Sequence, residues 1–262
     1  ESNLVVGMSG AKTKIGWHKS YTNFVYTKTF KELSKPLTSA GLAIENRMLL
    51  LSPISSGKTL NNRPQLFLTE GEIATGKAIL EKYKIDFSKK IYMIGVLGSG
   101  TNKTYPFPFM AKVLDFIVAK TNATLLFNYM PSQLKEAQEI FNLCLPETQK
   151  NIKIDIIPGS IREFLSITYH CDALIGNEGG AVNMAKALYK PTFTIFSTWI
   201  IKEAWNAFED GTDNVSVHLK DFKPELYGEK SAKEMKDKAM ELYENFTPDL
   251  VIPSLEKYLE IN

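Results

Sequence analysis

Two short stretches carry residue types suited to holding an anionic ligand. The first, Ala173 to Ala187, reads ALIGNEGGAVNMAKA. An apolar run ending at Gly176, followed by an apolar-periodic run from Ala181, predicts a buried strand, a glycine turn and the start of a helix. Asn177, Glu178, Gly179 and Gly180 then lie at the carboxyl end of a strand, where open α/β sheets bind their ligands. The first N–H groups of a helix have no partner within it and the helix dipole is positive there, so a phosphate is a favoured guest. Gly179 and Gly180 would let it approach closely. A tight βα turn that needs glycine only for its backbone angles would carry the same residues.

The second stretch is GSGTNKTYP, Gly98 to Pro106. Small residues with free N–H groups and hydroxyls can wrap a phosphate, and Lys103 can neutralise it. Neither GxGxxG nor GxxxxGK[ST] is present, so the likeness to a dinucleotide fingerprint or a P-loop is superficial. Taken together, the two loops predict convergence on a diphosphate at one end of a single sheet. Glu178 is the awkward member, because a carboxylate beside a pyrophosphate is repulsive unless it pairs with Lys103, a metal ion or a ligand hydroxyl. It is also a poor helix N-cap, which favours a functional role over a structural one. A third stretch, KTKIGWHK from Lys12 to Lys19, can face an anionic substrate, although a solvated loop with one anchoring aromatic accounts for it more simply.

The elements that must position these residues are legible from Thr69 onward. Thr69-Glu70-Gly71-Glu72 is a capping box opening a helix to about Tyr83. A polar linker from Ile85 to Lys90 marks the expected domain boundary. Strands are then predicted at Ile91 to Leu97, Thr124 to Asn128, Ile152 to Ile156, Ala173 to Gly176 and Thr192 to Phe196. Helices alternate with them: Pro108 to Lys120, Ser132 to Cys144, one from Ile161 behind a second capping box (Ser160 to Glu163), and one from Ala181. That alternation predicts an α/β fold, a parallel, Rossmann-like sheet covered on both faces. An aromatic segment (Trp199, Trp205, Phe208) and a polar loop lead to a helix from Ser231 to Tyr243 and a last one capped by Thr247 with Pro248 at its first position. The expected domains are 1–85, 86–246 and a C-terminal helix, 247–262, crossing back to the first. The first 65 residues are harder to parse, with one helix predicted from Phe30 to Ala40, interrupted by Pro36. The chain begins at Glu1, and LVVGMSG reads as a strand entering a turn with nothing before it, so a fragment is expected.

The 262 residues include 31 basic and 29 acidic side chains, a formal charge of only +2, which argues against a general nucleic-acid surface. Cys144 and Cys171 lack the paired spacing of a zinc or redox site and are expected to be reduced core residues of a cytoplasmic protein. His18, His170 and His218 are scattered, so neither a metal cluster nor a histidine-dependent triad is visible in the sequence. Sequons at Asn102, Asn122, Asn214 and Asn245 read as chance matches, since no signal peptide or membrane span accompanies them.

The segments IGVLGSGTNKTYPFPFMAKVLDFI and CDALIGNEGGAVNMAKALYKPTFTIF resemble the heptosyltransferase family, glycosyltransferase family 9. The first is similar to the family's glycine and serine loop followed by Lys-x-Trp-Pro and a helix. The second is similar to its Gly-Asn-Asp-Ser-Gly-x-x-His strand, turn and helix with a following Lys-Pro strand. The likeness runs from about Ile91 to Phe196 and is fainter at Ser9 to Gly16. It implies the two-domain GT-B architecture, with an incomplete acceptor-side domain and a complete donor domain. It also implies transfer of a sugar, heptose in the best-known members, from an ADP-linked donor to a glycolipid or glycan such as the core of bacterial lipopolysaccharide. Peripheral association with the inner face of the inner membrane would follow.

On that resemblance Lys103 matches the donor-site lysine, and Ser99, Gly100 and Thr101 lie in the phosphate loop. Glu178, Gly179 and Gly180 stand where the family has Asp, Ser or Thr, and Gly. Asn183 stands for the usual His and Tyr105 for the usual Trp. Gln133 falls near the place where an acidic residue meets the donor ribose, and the base pocket near Gly159, Ser160 and Ile161. The family's general base, an aspartate in a Gly-Asp turn, has no counterpart here, so the catalytic residue is unassigned and the chain is expected to bind donor better than it turns over. Direct displacement at the anomeric carbon, with Lys103 and the N–H groups of Gly179 and Gly180 stabilising the departing diphosphate, would need no metal or other cofactor. Glu178 and Asn183 also suit a non-catalytic nucleotide-sugar binding protein, and the architecture suits a nucleotide-sugar 2-epimerase.

Overall fold

The computed structural model describes residues 2–55, 61–228 and 232–262. Contacts divide the chain into two compact units, Glu1–Arg63 with Glu203–Phe208, and Pro64–Lys202 with Glu209–Asn262. The first unit holds α1 (Ser2–Met8), β1 (Ile15–Trp17), β2 (Lys28–Phe30) and α2 (Leu42–Leu51), with β1 and β2 paired in parallel. Residues 4–8, predicted as a strand, lie in α1. With no strand beside them among the described residues, they meet their backbone hydrogen bonds internally. The helix predicted from Phe30 to Ala40 does not form. Glu45 of α2 accepts the N–H groups of Leu37 (2.7 Å) and Thr38 (2.6 Å) and the Thr38 hydroxyl (2.6 Å), fixing a turn just after Pro36.

The second unit is built on six parallel strands. In chain order it contains α3 (Glu70–Lys82), β3 (Ile91–Gly95), α4 (Phe107–Thr121), β4 (Thr124–Asn128), α5 (Leu134–Leu143), α6 (Pro146–Asn151), β5 (Ile152–Lys153), α7 (Ile161–Tyr169), β6 (Ala173–Asn177), α8 (Gly180–Ala187) and β7 (Thr192–Ile195). After β7 comes α9 (Lys202–Trp205), which beyond Lys202 belongs to the first unit, and the second unit then continues with β8 (Asn214–Val217), α10 (Leu219–Phe222), α11 (Ala232–Asp237), α12 (Ala239–Glu244) and α13 (Pro248–Ile261). The strand order is β5-β4-β3-β6-β7-β8, every neighbouring pair parallel. The sheet grows outward from β3 in one direction and then, from β6, in the other. The loops leaving β3 and β6 therefore flank the switch point, the place where an open parallel sheet leaves a crevice.

Side chains alternate between two cores. Tyr92 and Ile94 of β3 join the cluster under α4, α5, α12 and α13, while Ile91 and Met93 join the one under α3, α7 and α8. Burial on both faces is what a parallel sheet requires. The α3 capping box forms as expected, with Thr69 Oγ1 accepting the Glu72 N–H (3.3 Å) and the Glu72 carboxylate accepting the Thr69 N–H (2.8 Å). Arg162 of α7 grips the same carboxylate, holding it down at about 2. α3 lies so close to α7 that a Cβ on Gly76 would sit 2.3 Å from the Ser166 carbonyl oxygen. It thus covers a sheet face of the second unit, and the division falls at Arg63 and Pro64 rather than at 85–90, where Ile85 is buried in the core. α13 likewise packs on α4, β7 and β8 within the second unit, where a return to the first was the expectation.

The helix predicted from Ser231 to Tyr243 is two short helices, α11 and α12, separated at Lys238; Ser231 itself lies outside the described residues. Cys144 and Cys171 are free thiols, and burial pushes both up to about 12. Among the described residues no helix is long and apolar enough to cross a membrane, and no group of three or more His, Cys, Asp or Glu side chains could hold a metal ion.

Candidate functional site

The two loops at the switch point are tied together by one buried amide. Asn177, the last residue of β6, donates from Nδ2 to the carbonyls of Gly95 (2.9 Å) and Val96 (3.0 Å) and accepts the Tyr105 N–H on Oδ1 (2.7 Å). It thereby clamps both ends of the loop that follows β3. Gly95 and Gly176 stand opposite each other in the ladder, and Gly176 has φ of +138°. A Cβ there would lie 2.4 Å from the Gly95 carbonyl oxygen, so the strand ends meet at a distance only glycine permits.

Inside the loop, Thr104 Oγ1 accepts the Gly98 N–H (3.0 Å) and donates to the Gly100 carbonyl (2.9 Å). Residues Thr101–Lys103 form a single 3₁₀ turn. From outside, Gln133 Nε2 donates to the Gly98 carbonyl (2.9 Å), while Ser197 Oγ (2.8 Å) and Trp199 Nε1 (2.9 Å) both donate to the Asn102 carbonyl. A loop held from this many directions is pre-organised, which matters when its backbone must meet a charged ligand without rearranging.

The groups left facing solvent are of the kinds that can bind an anion. Ser99, Gly100 and Thr101 are exposed, as are Gly179 and Gly180 at the start of α8. A Cβ on either Gly179 or Gly180 would meet nothing within 4 Å, so the N-terminus of α8 opens onto free space. Asn183, one turn into α8, is exposed as well. Lys103 Nζ lies 3.7 Å from Glu178 Oε1, an ion pair too long for a hydrogen bond. That oxygen is buried and has no hydrogen-bond partner. Burial pushes the Glu178 carboxyl up from its ordinary value and Lys103 pulls it part of the way back.

Lys103, Glu178, Gly179 and Gly180 are thus brought to one place, as the sequence predicts. Gln133 and residues 159–161 have structural partners of their own. Both ends of the Gln133 amide are engaged by backbone, since Oε1 accepts the Met130 N–H (3.0 Å) while Nε2 holds Gly98, so it braces the loop. Gly159, Ser160 and Ile161 lie at the N-terminus of α7, after the edge strand β5. Ser160 caps α7 by accepting the Glu163 N–H (3.1 Å), and Glu163 reaches past it to the Gly159 N–H (2.7 Å), a capping box displaced by one residue. Ile161 is 67% exposed.

No family model matches the sequence, and no curated protein matches it significantly. Solved structures do resemble it. A glycosyltransferase family 9 protein from Veillonella parvula superposes with a TM-score of 0.65 at 12% identity, over 97% of this chain and 69% of the other. The ADP-heptose lipopolysaccharide heptosyltransferase II of E. coli gives 0.59 at 13% identity, over 92% and 73%. The E. coli heptosyltransferase WaaC, solved with ADP, gives 0.53 at 11% identity, over 88% and 66%. The chain has the fold of glycosyltransferase family 9.

Within this family 9 fold, Tyr105 is a core ring rather than a surface one. Its hydroxyl donates to the Phe246 carbonyl (2.7 Å), and it packs against Phe109, Tyr243 and Phe246. Three residues at these loops escape sequence reading: Asn177 as a clamp, Trp199 as a support, and Lys236, whose Nζ lies 5.3 Å from the Trp199 ring centroid. Asn177 falls just after the strand predicted at Ala173 to Gly176, and its three hydrogen bonds depend on a loop some seventy to eighty residues away, so no local pattern encodes them.

The state of Glu178 gives a pH dependence. A carboxyl raised in the folded chain binds its proton more tightly folded than unfolded, so its favourable contribution holds at low pH and is lost as pH rises from the ordinary value of 4.5 through the raised one. Glu178→Gln is therefore expected to match the wild type near pH 4 and to be the more stable of the two at neutral pH. Urea unfolding across that range checks it; a less stable Gln variant at neutral pH would show that the pair with Lys103 outweighs burial.

Proposed function

We propose that this chain is a glycosyltransferase that binds a nucleoside-diphosphate sugar at the switch point and transfers the sugar, with inversion, to a glycan or glycolipid. The observation that carries the reading is the convergence of a clamped small-residue loop bearing Lys103 with the open N-terminus of α8, across β3 and β6. An ammonium and orphan helix N–H groups, held without freedom to relax, are suited to stabilise negative charge on a departing diphosphate. Ser99 and Thr101 offer hydroxyls to the same phosphates. ADP is the favoured nucleotide and heptose the favoured sugar because the E. coli structures of the same fold are a heptosyltransferase solved with ADP and an ADP-heptose transferase. The acceptor would belong to the lipopolysaccharide core, and the protein would then work on the cytoplasmic side of a bacterial inner membrane.

Glu178 then pairs with Lys103 and offsets part of its charge until the donor arrives. Calorimetric titration of the full chain with ADP, UDP, GDP and CDP tests the reading, repeated on Lys103→Ala. One diphosphate is expected to bind selectively and to lose at least about tenfold in affinity in the variant, as for a charge-assisted hydrogen bond. Binding of none, or unchanged binding by Lys103→Ala, would overturn it. Release of ADP from ADP-heptose only when a glycan acceptor is present would distinguish transfer from mere binding.

A further inference from the structure

We propose that Lys236 is a second cation for the donor diphosphate, held in place by the indole of Trp199. This rests on the glycosyltransferase reading above and adds to it a residue far from either predicted loop. Trp199 follows β7 and is fixed to the Gly98 to Pro106 loop, because its Nε1–H donates to the Asn102 carbonyl (2.9 Å). Whatever lies against the ring is therefore fixed relative to the loop. Two ammonium groups do so: Lys103 Nζ at 5.4 Å from the centroid and Lys236 Nζ at 5.3 Å.

Two like charges sharing one ring repel each other, and the ring quadrupole compensates only in part. Glu178 is the one carboxylate within ion-pair distance of either lysine among the described residues, and it pairs with Lys103. The cluster thus carries an excess positive charge beside the open N-terminus of α8. A nucleoside diphosphate, with more than one negative charge, matches that excess. Lys236 is exposed on α11, so a ligand can reach its ammonium while the indole keeps the side chain beside the loop.

The test is titration of the full chain with whichever of ADP, UDP, GDP and CDP the wild type binds best, at two salt concentrations, on Lys236→Ala, Lys236→Met and Lys236→Arg. Loss of about tenfold is expected in the Ala and Met variants, the loss of one charge-assisted hydrogen bond, with a shallower salt dependence. Lys236→Arg is expected to retain most of the affinity, and all three to unfold at the wild-type temperature. The Met variant separates charge from packing, since it keeps the apolar stem. Wild-type affinity in Lys236→Ala or Lys236→Met would overturn the assignment. If Lys103→Ala loses binding while the Lys236 variants do not, only this inference fails; if the wild type binds no diphosphate, the glycosyltransferase reading fails with it.

Discussion

Gly176→Ala is expected to lose about 3 kcal/mol or more of folding stability, through two separate mechanisms. The residue adopts φ of +138°, which L side chains avoid, and its Cβ would lie 2.4 Å from the carbonyl oxygen, 2.8 Å from the carbonyl carbon and 2.9 Å from the nitrogen of Gly95. All three are backbone atoms of a central strand, so no side chain can swing aside to make room. Relief requires that β3 and β6 separate at their carboxyl ends, and the site lies directly above that point. Urea unfolding measures the loss of stability, and diphosphate affinity measures the displacement of the strand ends beneath the site. A variant that unfolds at the wild-type urea concentration would show that the strand ends yield far more readily than a six-stranded sheet should.

Asn177→Ala is the second large effect. The side chain supplies a partner to the Tyr105 N–H and to the carbonyls of Gly95 and Val96, all in a region closed to water. Each buried group left without a partner costs about 1–3 kcal/mol, so a loss of about 3–5 kcal/mol is expected for the group of three. Donor affinity should fall as well although Lys103 is untouched, because the loop that carries Lys103 loses the clamp at both ends. Asn177→Asp discriminates the causes: its carboxylate can still accept from Tyr105 but cannot donate to the two carbonyls. It should therefore remain destabilised at neutral pH and recover in part when acid protonates it. Equal stability of wild type and Asn177→Ala in urea would rule out the clamp.

Much of the second unit is legible in the sequence, because its strands are apolar on both faces and its helices carry their own start signals. Ile91 to Gly95 and Ala173 to Asn177 are wholly buried, and such runs advertise themselves. β8 is different. Asn214–Val217 is a short edge strand with alternating polar residues, set among Asp210, Gly211, Thr212 and Asp213, and by composition it reads as a polar loop. The first unit is illegible for another reason. Glu45 determines the path of residues 37 and 38 through side-chain contacts, and no periodicity reports such an arrangement. At the site, glycine, lysine and glutamate disclose themselves by type and by their place after a strand. Trp199 and Lys236 do not, and Gln133 is reached only through the family resemblance and for a different role, because their contacts arise only when separate crossovers bring them together.

The strand order also bears on how the chain comes into being. β3 is the first strand of the six to be synthesised, yet one of its two neighbours, β6, follows β4, β5 and α7. On the ribosome, β3, β4 and β5 can associate early through neighbouring crossovers, while the other edge of β3 waits uncovered, apolar on both faces. The arrival of β6 closes that edge and, in the same event, delivers Asn177 to the loop that has been waiting for it. Covering the second edge of β3 and clamping its loop are one step, so a nascent chain stalled before residue 173 would present a sticky edge and an unclamped loop.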